Sequence, residues 1–233
     1  MNNDLDIGGP EDLMVMGANV GGSPAIWLDR TEMYGLLRLV FLTGPGPELI
    51  AALPELQMKS TLARSAEFNA HLEALQKTIK GESKESITRW QTEFTRLFIG
   101  PGKAPAYPYE CAYRSPNRLL MQEMTGEVRQ FYLGQGLIMQ LPNRMPDDQL
   151  GAELEFLFYL CQKILERTEE AVTYIRTQRE FLRKHILSWI DDFVIDILNS
   201  TNEPIFRCLG LLLRDFVHWD ERFLGDTESC FNH

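Results

Sequence analysis

Along most of the chain apolar residues recur every three or four positions, the spacing that gathers side chains on one face of an α-helix. A helix begins at Ser23-Pro24, where serine suits the cap and proline the first helical position, and its apolar face carries Ile26, Met33, Leu37, Val40 and Phe41. Gly44-Pro45-Gly46-Pro47 ends it. The pattern predicts further helices over 62–79 and, past a break at 81–83, through Ile87, Trp90, Phe94, Leu97 and Phe98. A second serine-proline start at Ser115-Pro116 predicts a helix through Leu119, Leu120 and Met124. It continues with Val128, Phe131 and Tyr132 until Gly134 and Gly136 end it.

From Asp148 a helix carries Leu150, Leu154, Leu157, Cys161, Ile164 and Leu165, with Phe156, Phe158 and Leu160 on its other sides, the pattern of a central buried element. Two amphipathic helices close the chain. One runs through Leu182, Ile186, Trp189, Ile190, Phe193 and Ile197, the other through Ile205, Leu209, Leu212, Phe216 and Phe223. No segment alternates with period two, so the expected fold class is all-α, a single globular helical bundle. Residues 1–22, rich in glycine and without helical period, read as a flexible leader, and residues 23–233 as one all-helical domain.

Charge narrows the partners. The 33 acidic against 23 basic residues give a net charge of -10 over 233 residues, which repels nucleic-acid phosphate and anionic lipid and favours cationic peptides. Cys111, Cys161, Cys208 and Cys230 form no Cys-x-x-Cys pair, and the N-terminus carries Asp4 and Asp6 where a secretory signal has Lys or Arg. The chain therefore reads as cytoplasmic, with no stable membrane insertion.

The most unusual stretch is 93–113, where an amphipathic helix runs into Gly100-Pro101 and then a loop of prolines and tyrosines. Rigid aromatics on an irregular loop suit peptide recognition, although the same tyrosines could fill the core. Catalytic motifs are missing. Gly100-Pro101-Gly102-Lys103 lacks the spacing and the Ser or Thr of a phosphate loop, and the histidines at 71, 185, 218 and 233 form no metal-binding pattern. No catalytic residue, metal or cofactor is expected. Asp147 and Asp148 follow Pro146 at a helix start, where carboxylates cap amides and oppose the helix dipole, a role compatible with also facing an arginine on a partner.

Three blocks in order then carry a resemblance. Leu97-Phe98-Ile99-Gly100-Pro101 leads to Pro105, Pro108-Tyr109 and Ala112-Tyr113; Met145-Pro146-Asp147-Asp148-Gln149-Leu150-Gly151 follows; and 181–189 with 204–219 complete the set. Over roughly 90–224 these resemble the TorD/DmsD/NarJ redox-enzyme maturation chaperones, closest in pattern to the TorD and DmsD branches. The resemblance implies a non-enzymatic chaperone of anaerobic respiration. It would bind the twin-arginine signal peptide and the body of a molybdoenzyme catalytic subunit, and hold the precursor for molybdopterin insertion before export. Carried over, the signal-peptide-binding residues would be Phe94, Leu97, Phe98, Pro108, Tyr109, Asp147, Asp148 and Gln149. Gln149 and Met145 stand where the family usually has histidine and glutamate, so a histidine-dependent role is not carried over. The resemblance also implies a homodimer formed by domain swapping through the connection near 134–147. Two alternatives stay open: a helical assembly subunit permanently bound to one partner, and a metal-dependent nucleotide hydrolase using Asp147 and Asp148.

Overall fold

In a computed structural model the described residues are 23–53, 56, 58, 65–80, 84–139, 145–166 and 169–231. The expected leader, the break at 81–83 and most of the connection before Pro146 lie outside this set. Helix α1 (Pro24–Thr43) buries Trp27, Met33, Tyr34, Leu37 and Phe41 and ends at Gly44. A short α2 (Pro47–Ala52) follows, then α3 (Ala66–Ile79), whose Phe68 amide donates to the Ser65 hydroxyl at 3.3 Å. Helix α4 (Lys84–Phe94) passes into a π-helical turn, Thr95–Ile99. Short α5 (Glu110–Arg114) and a 3₁₀ turn at Pro116–Arg118 precede α6 (Glu123–Gly134). The remaining helices are α7 (Leu150–Glu166), α8 (Ala171–Lys184), α9 (Ile190–Ser200) and α10 (Pro204–Phe231), with a 3₁₀ turn at Ile186–Ser188 between α8 and α9.

The chain is all-helical among the described residues, and one antiparallel bridge, Tyr109 with Gln149, is the β-type pairing recorded there. Helix α7 is central, as its all-round hydrophobicity predicts: α1 lies along it and α8 packs beside it, while α10 gathers α3, α8 and α9. Burying apolar faces at about 25 cal/mol per Å² drives this arrangement. Trp27, Trp90, Trp189, Phe181, Phe193, Phe206 and Phe216 are all buried in one contiguous core.

A sealed polar network ties four helices together. Arg30 donates through Nε and Nη2 to Asp220 and through Nη2 to Gln178; Tyr34 donates to Asp220 Oδ2 at 2.7 Å; and Gln178 donates to the Leu157 carbonyl at 3.0 Å. Arg30 and Asp220 are both 0% exposed. Burial works against the Arg30 charge, and Asp220 overrides it, so the guanidinium pKa rises above its ordinary value.

Three local departures from periodicity have visible causes. Ser115-Pro116 starts no long helix: Asn117, Arg118 and Met121 take positive φ (60°, 55° and 55°), Arg118 turns to Asp196 at 2.7 Å, and α6 begins only at Glu123. Leu119, placed on a helix face by its spacing, is 52% exposed. The helix expected through Leu182 and Ile197 is broken at His185, whose ring turns inward to Glu110. The helix ending at Phe98 widens into the π turn, where the Gly100 amide donates to Thr95 at 2.8 Å. Gly100 sits at φ 97°, and a Cβ there would lie 2.7 Å from the Gly102 carbonyl oxygen, so glycine is required.

Candidate functional site

The loop after the π turn folds back at once, because the Ala106 amide donates to the Leu97 carbonyl at 3.0 Å. Pro108, Tyr109 and Glu110 then run antiparallel to Asp148, Gln149 and Leu150. The Glu110 amide donates to Asp148 O at 3.1 Å, and the Leu150 amide donates to Pro108 O at 2.9 Å. Two distant sequence blocks thus form one junction.

Each residue of the acidic block has a separate task. Asp148, fully buried, accepts the Cys111 amide on Oδ2 at 2.9 Å and the Thr125 hydroxyl on Oδ1 at 2.8 Å. It caps an amide as its position suggested, but that of α5, not of the helix that follows it. The cap of α7 falls to Gln149. Its side-chain oxygen accepts the Ala152 amide at 3.0 Å while its amide donates to Phe41 O at 2.9 Å. A Cβ on Gly151 would lie 2.8 Å from the Leu42 nitrogen, so the start of α7 is pressed against the end of α1. Asp147 is held through its backbone, whose carbonyl accepts the Tyr132 hydroxyl at 2.9 Å. Its carboxylate, 6% exposed, is covered by Arg129, which donates to Oδ2 from Nε at 3.1 Å and from Nη2 at 2.6 Å.

The aromatic helix end is placed differently. Phe94, Leu97 and Phe98 are 8%, 0% and 3% exposed and belong to the core, so they present almost no side-chain surface. Phe98 packs against Phe41, Phe193 and Phe206 with ring centroids 5.8–5.9 Å apart. Phe41 joins them to the junction through its carbonyl bond to Gln149. Pro108 is buried and Tyr109 half-buried; burial, then the Asp148 carboxylate, raises the Tyr109 phenol above its usual pKa. Of the eight residues that the motifs single out, Tyr109 is half-buried, Asp147 is buried directly beneath the half-exposed Arg129, and the other six form the frame behind them.

Beneath the junction lies a buried layer that motif reading missed. Glu110, Glu153 and His185 are each 0% exposed. Glu110 is paired with Arg114 and, at 2.8 Å, with His185 Nδ1. Neither Glu153 oxygen meets a donor, and burial, with the nearby Glu110 and Asp148 charges, drives its carboxyl pKa well above the usual carboxylate range. That shift favours the neutral acid, whose hydroxyl is itself a donor. The signal was legible: Glu153 sits at helical spacing among Leu150, Leu154 and Leu157, a carboxylate on an apolar face.

Among the described residues no group of three or more His, Cys, Asp and Glu is placed to hold a metal ion, and no helix is long and apolar enough to cross a membrane. His71 meets Asp215 at 2.8 Å and His218 meets Asp191 at 3.1 Å. A cleft of about 550 Å³ opens elsewhere, between Arg176, Arg179 and Arg183 of α8 and Glu228 of α10. Its Arg179 is already bound to Glu221 and Glu228.

Comparison with known proteins agrees with this architecture. The profile described as nitrate reductase delta subunit matches residues 62–194, more than half of the chain. The chain is 26% identical over 178 residues to the Tat proofreading chaperone DmsD of Salmonella typhimurium, covering 76% of this chain and 79% of that one. It is 21% identical over 208 residues to the chaperone protein TorD of Vibrio atlanticus, covering 84% and 94%. A perchlorate reductase assembly chaperone protein of Dechloromonas aromatica is 36% identical over a shorter 94 residues, 39% of this chain and 42% of that one. These relatives are chaperones and not enzymes by name, and with the all-helical fold and the paired 108–110 and 148–150 segments in place, the chain belongs to the nitrate reductase delta subunit family, the TorD/DmsD/NarJ group of redox-enzyme maturation chaperones.

Proposed function

We propose that this protein binds the twin-arginine signal peptide of a molybdopterin-containing oxidoreductase precursor in the cytoplasm and holds the precursor for cofactor insertion and folding before export. The observation that carries this reading is the Asp147 carboxylate, fixed by its backbone at an aromatic junction and already accepting a guanidinium. A client arginine asks for the same geometry. Tyr109, paired with Gln149 two residues further along, offers an apolar face, while Asp148, Gln149, Pro108, Phe94, Leu97 and Phe98 hold the two contact residues in place. The net charge of -10 favours encounter with a cationic peptide. The names of the relatives, a Tat proofreading chaperone and a reductase assembly chaperone among them, support the same reading.

Fluorescence anisotropy with a labelled twin-arginine signal peptide tests it. Saturable binding is expected, weakened about tenfold by Asp147→Asn, the cost of losing one hydrogen-bonded charge. If no cognate signal peptide binds the unaltered chain, the reading is wrong.

A further inference from the structure

The guanidinium that already occupies Asp147 belongs to the chain itself. Arg129 lies on α6 one turn beyond Thr125, whose hydroxyl holds Asp148, so α6 delivers both partners of the acidic pair. The two sides of the Arg129–Asp147 contact are unequal. Asp147 has a side chain only 6% exposed and a backbone anchored by Tyr132, so its carboxylate cannot turn away. Arg129 has a side chain 52% exposed, and among the described residues Asp147 is its one hydrogen-bond and ion-pair partner. Swinging it into water costs the arginine little, and what it leaves behind is a nearly buried carboxylate that calls for another cation.

We propose that Arg129 is a built-in competitor: it covers Asp147 in the empty chaperone and must leave when a client guanidinium takes its place. The inference rests on the signal-peptide reading above and adds to it a self-inhibiting contact. The exchange pairs the carboxylate both before and after a client binds, so no desolvated charge is left bare between clients. It also sets an affinity: an empty site that is covered most of the time binds more weakly by the fraction of time it is open. A fully exposed pair would weaken binding roughly two- to sixfold, and the burial of Asp147 makes that a lower bound.

The test is a double-mutant cycle read by anisotropy with a labelled twin-arginine peptide. Arg129→Gln is expected to tighten binding at least about twofold, and to give no gain once Asp147 is already Asn. A gain that persists in the Asp147→Asn background would mean only that a positive charge had been removed near a cationic ligand, and would overturn the proposal. So would unchanged or weaker binding by Arg129→Gln. A direct readout accompanies the cycle: the Arg129 Nε–H resonance should move toward its free-solution position on peptide addition, and a resonance that stays put on saturation refutes displacement. Failure of the unaltered chain to bind any such peptide removes the signal-peptide reading as well, whereas binding without these changes removes only the competitor.

Discussion

Arg30 with Asp220 and Arg129 with Asp147 are the same pair of side chains in opposite settings. The first lies wholly inside, both members 0% exposed, with Tyr34 and Gln178 adding hydrogen bonds and Arg30 resting 4.8 Å from the Trp27 ring centroid. The second is buried on the acid side and open on the base side, 6% against 52%. In the first pair neither partner can reach water; in the second the arginine can, and the carboxylate it uncovers then needs another cation. The comparison separates a contact that organises α1, α8 and α10 from one that is free to be exchanged. It also explains why an arginine–aspartate contact is weak evidence of function until the exposure of each partner is known.

The largest expected effect is on the sealed pair. Asp220→Ala leaves a guanidinium inside the core with no counter-charge, and the loss should be about 3–5 kcal/mol. For a chain of this size that lowers the melting temperature by roughly 10 °C. Thermal denaturation followed by circular dichroism measures it. A fall of less than about 2 °C would show the network to be dispensable and would erase the contrast between the two regions.

Asp148→Ala probes the frame directly behind the open pair. It strands the Cys111 amide and the Thr125 hydroxyl, two buried donors, for a loss of about 2 kcal/mol. Because those bonds hold α5 and α6 to the acidic block, amide exchange should quicken most at 108–114 and 123–129. Uniform loosening across the whole chain would place Asp148 with the sealed region and not with the junction.

The division between legible and hidden features follows the range of the forces involved. Helices α1, α3, α7 and α10 were readable because their apolar stripes are local facts, repeated every turn and needing no knowledge of a partner. The resemblance likewise brought the 108–109 and 147–149 segments together, and the structure joins them by two backbone hydrogen bonds. The remainder depends on partners far away in sequence. Helix α8 ends at His185 because Glu110, 75 positions earlier, takes its ring nitrogen. The elbow after Ser115 turns where Arg118 meets Asp196 and Tyr113. The orientation of Phe94, Leu97 and Phe98 was hidden for the same reason. An apolar stripe reports that a face is covered, and it does not say whether core or client covers it.

The smallest effect sharpens the junction from beneath. Glu153 is wholly buried, both its oxygens lack a donor, and its pKa stands well above the ordinary carboxylate value, first through burial and then through Glu110 and Asp148. A raised folded-state pKa means that the native chain keeps a proton that the unfolded chain releases. The stability this contributes is full below the unfolded carboxylate range and is lost as pH rises through the folded pKa. Glutamine has nearly the same shape, can donate to Glu110 through its amide, and carries no proton to lose. Glu153→Gln should therefore match the unaltered chain in acid and gain on it as pH rises, by about 2–4 °C in melting temperature at pH 8, the shift made by roughly 1 kcal/mol at this size. Taking the difference between variants at each pH cancels the titration of groups they share. Were that difference flat from pH 5 to pH 8, Glu153 would be ionised inside the fold, and the layer under Asp148 would carry one more negative charge than a neutral acid permits. The open pair above would then sit on a charged floor, and the contrast with the neutralised Arg30–Asp220 interior would be larger than the geometry alone suggests.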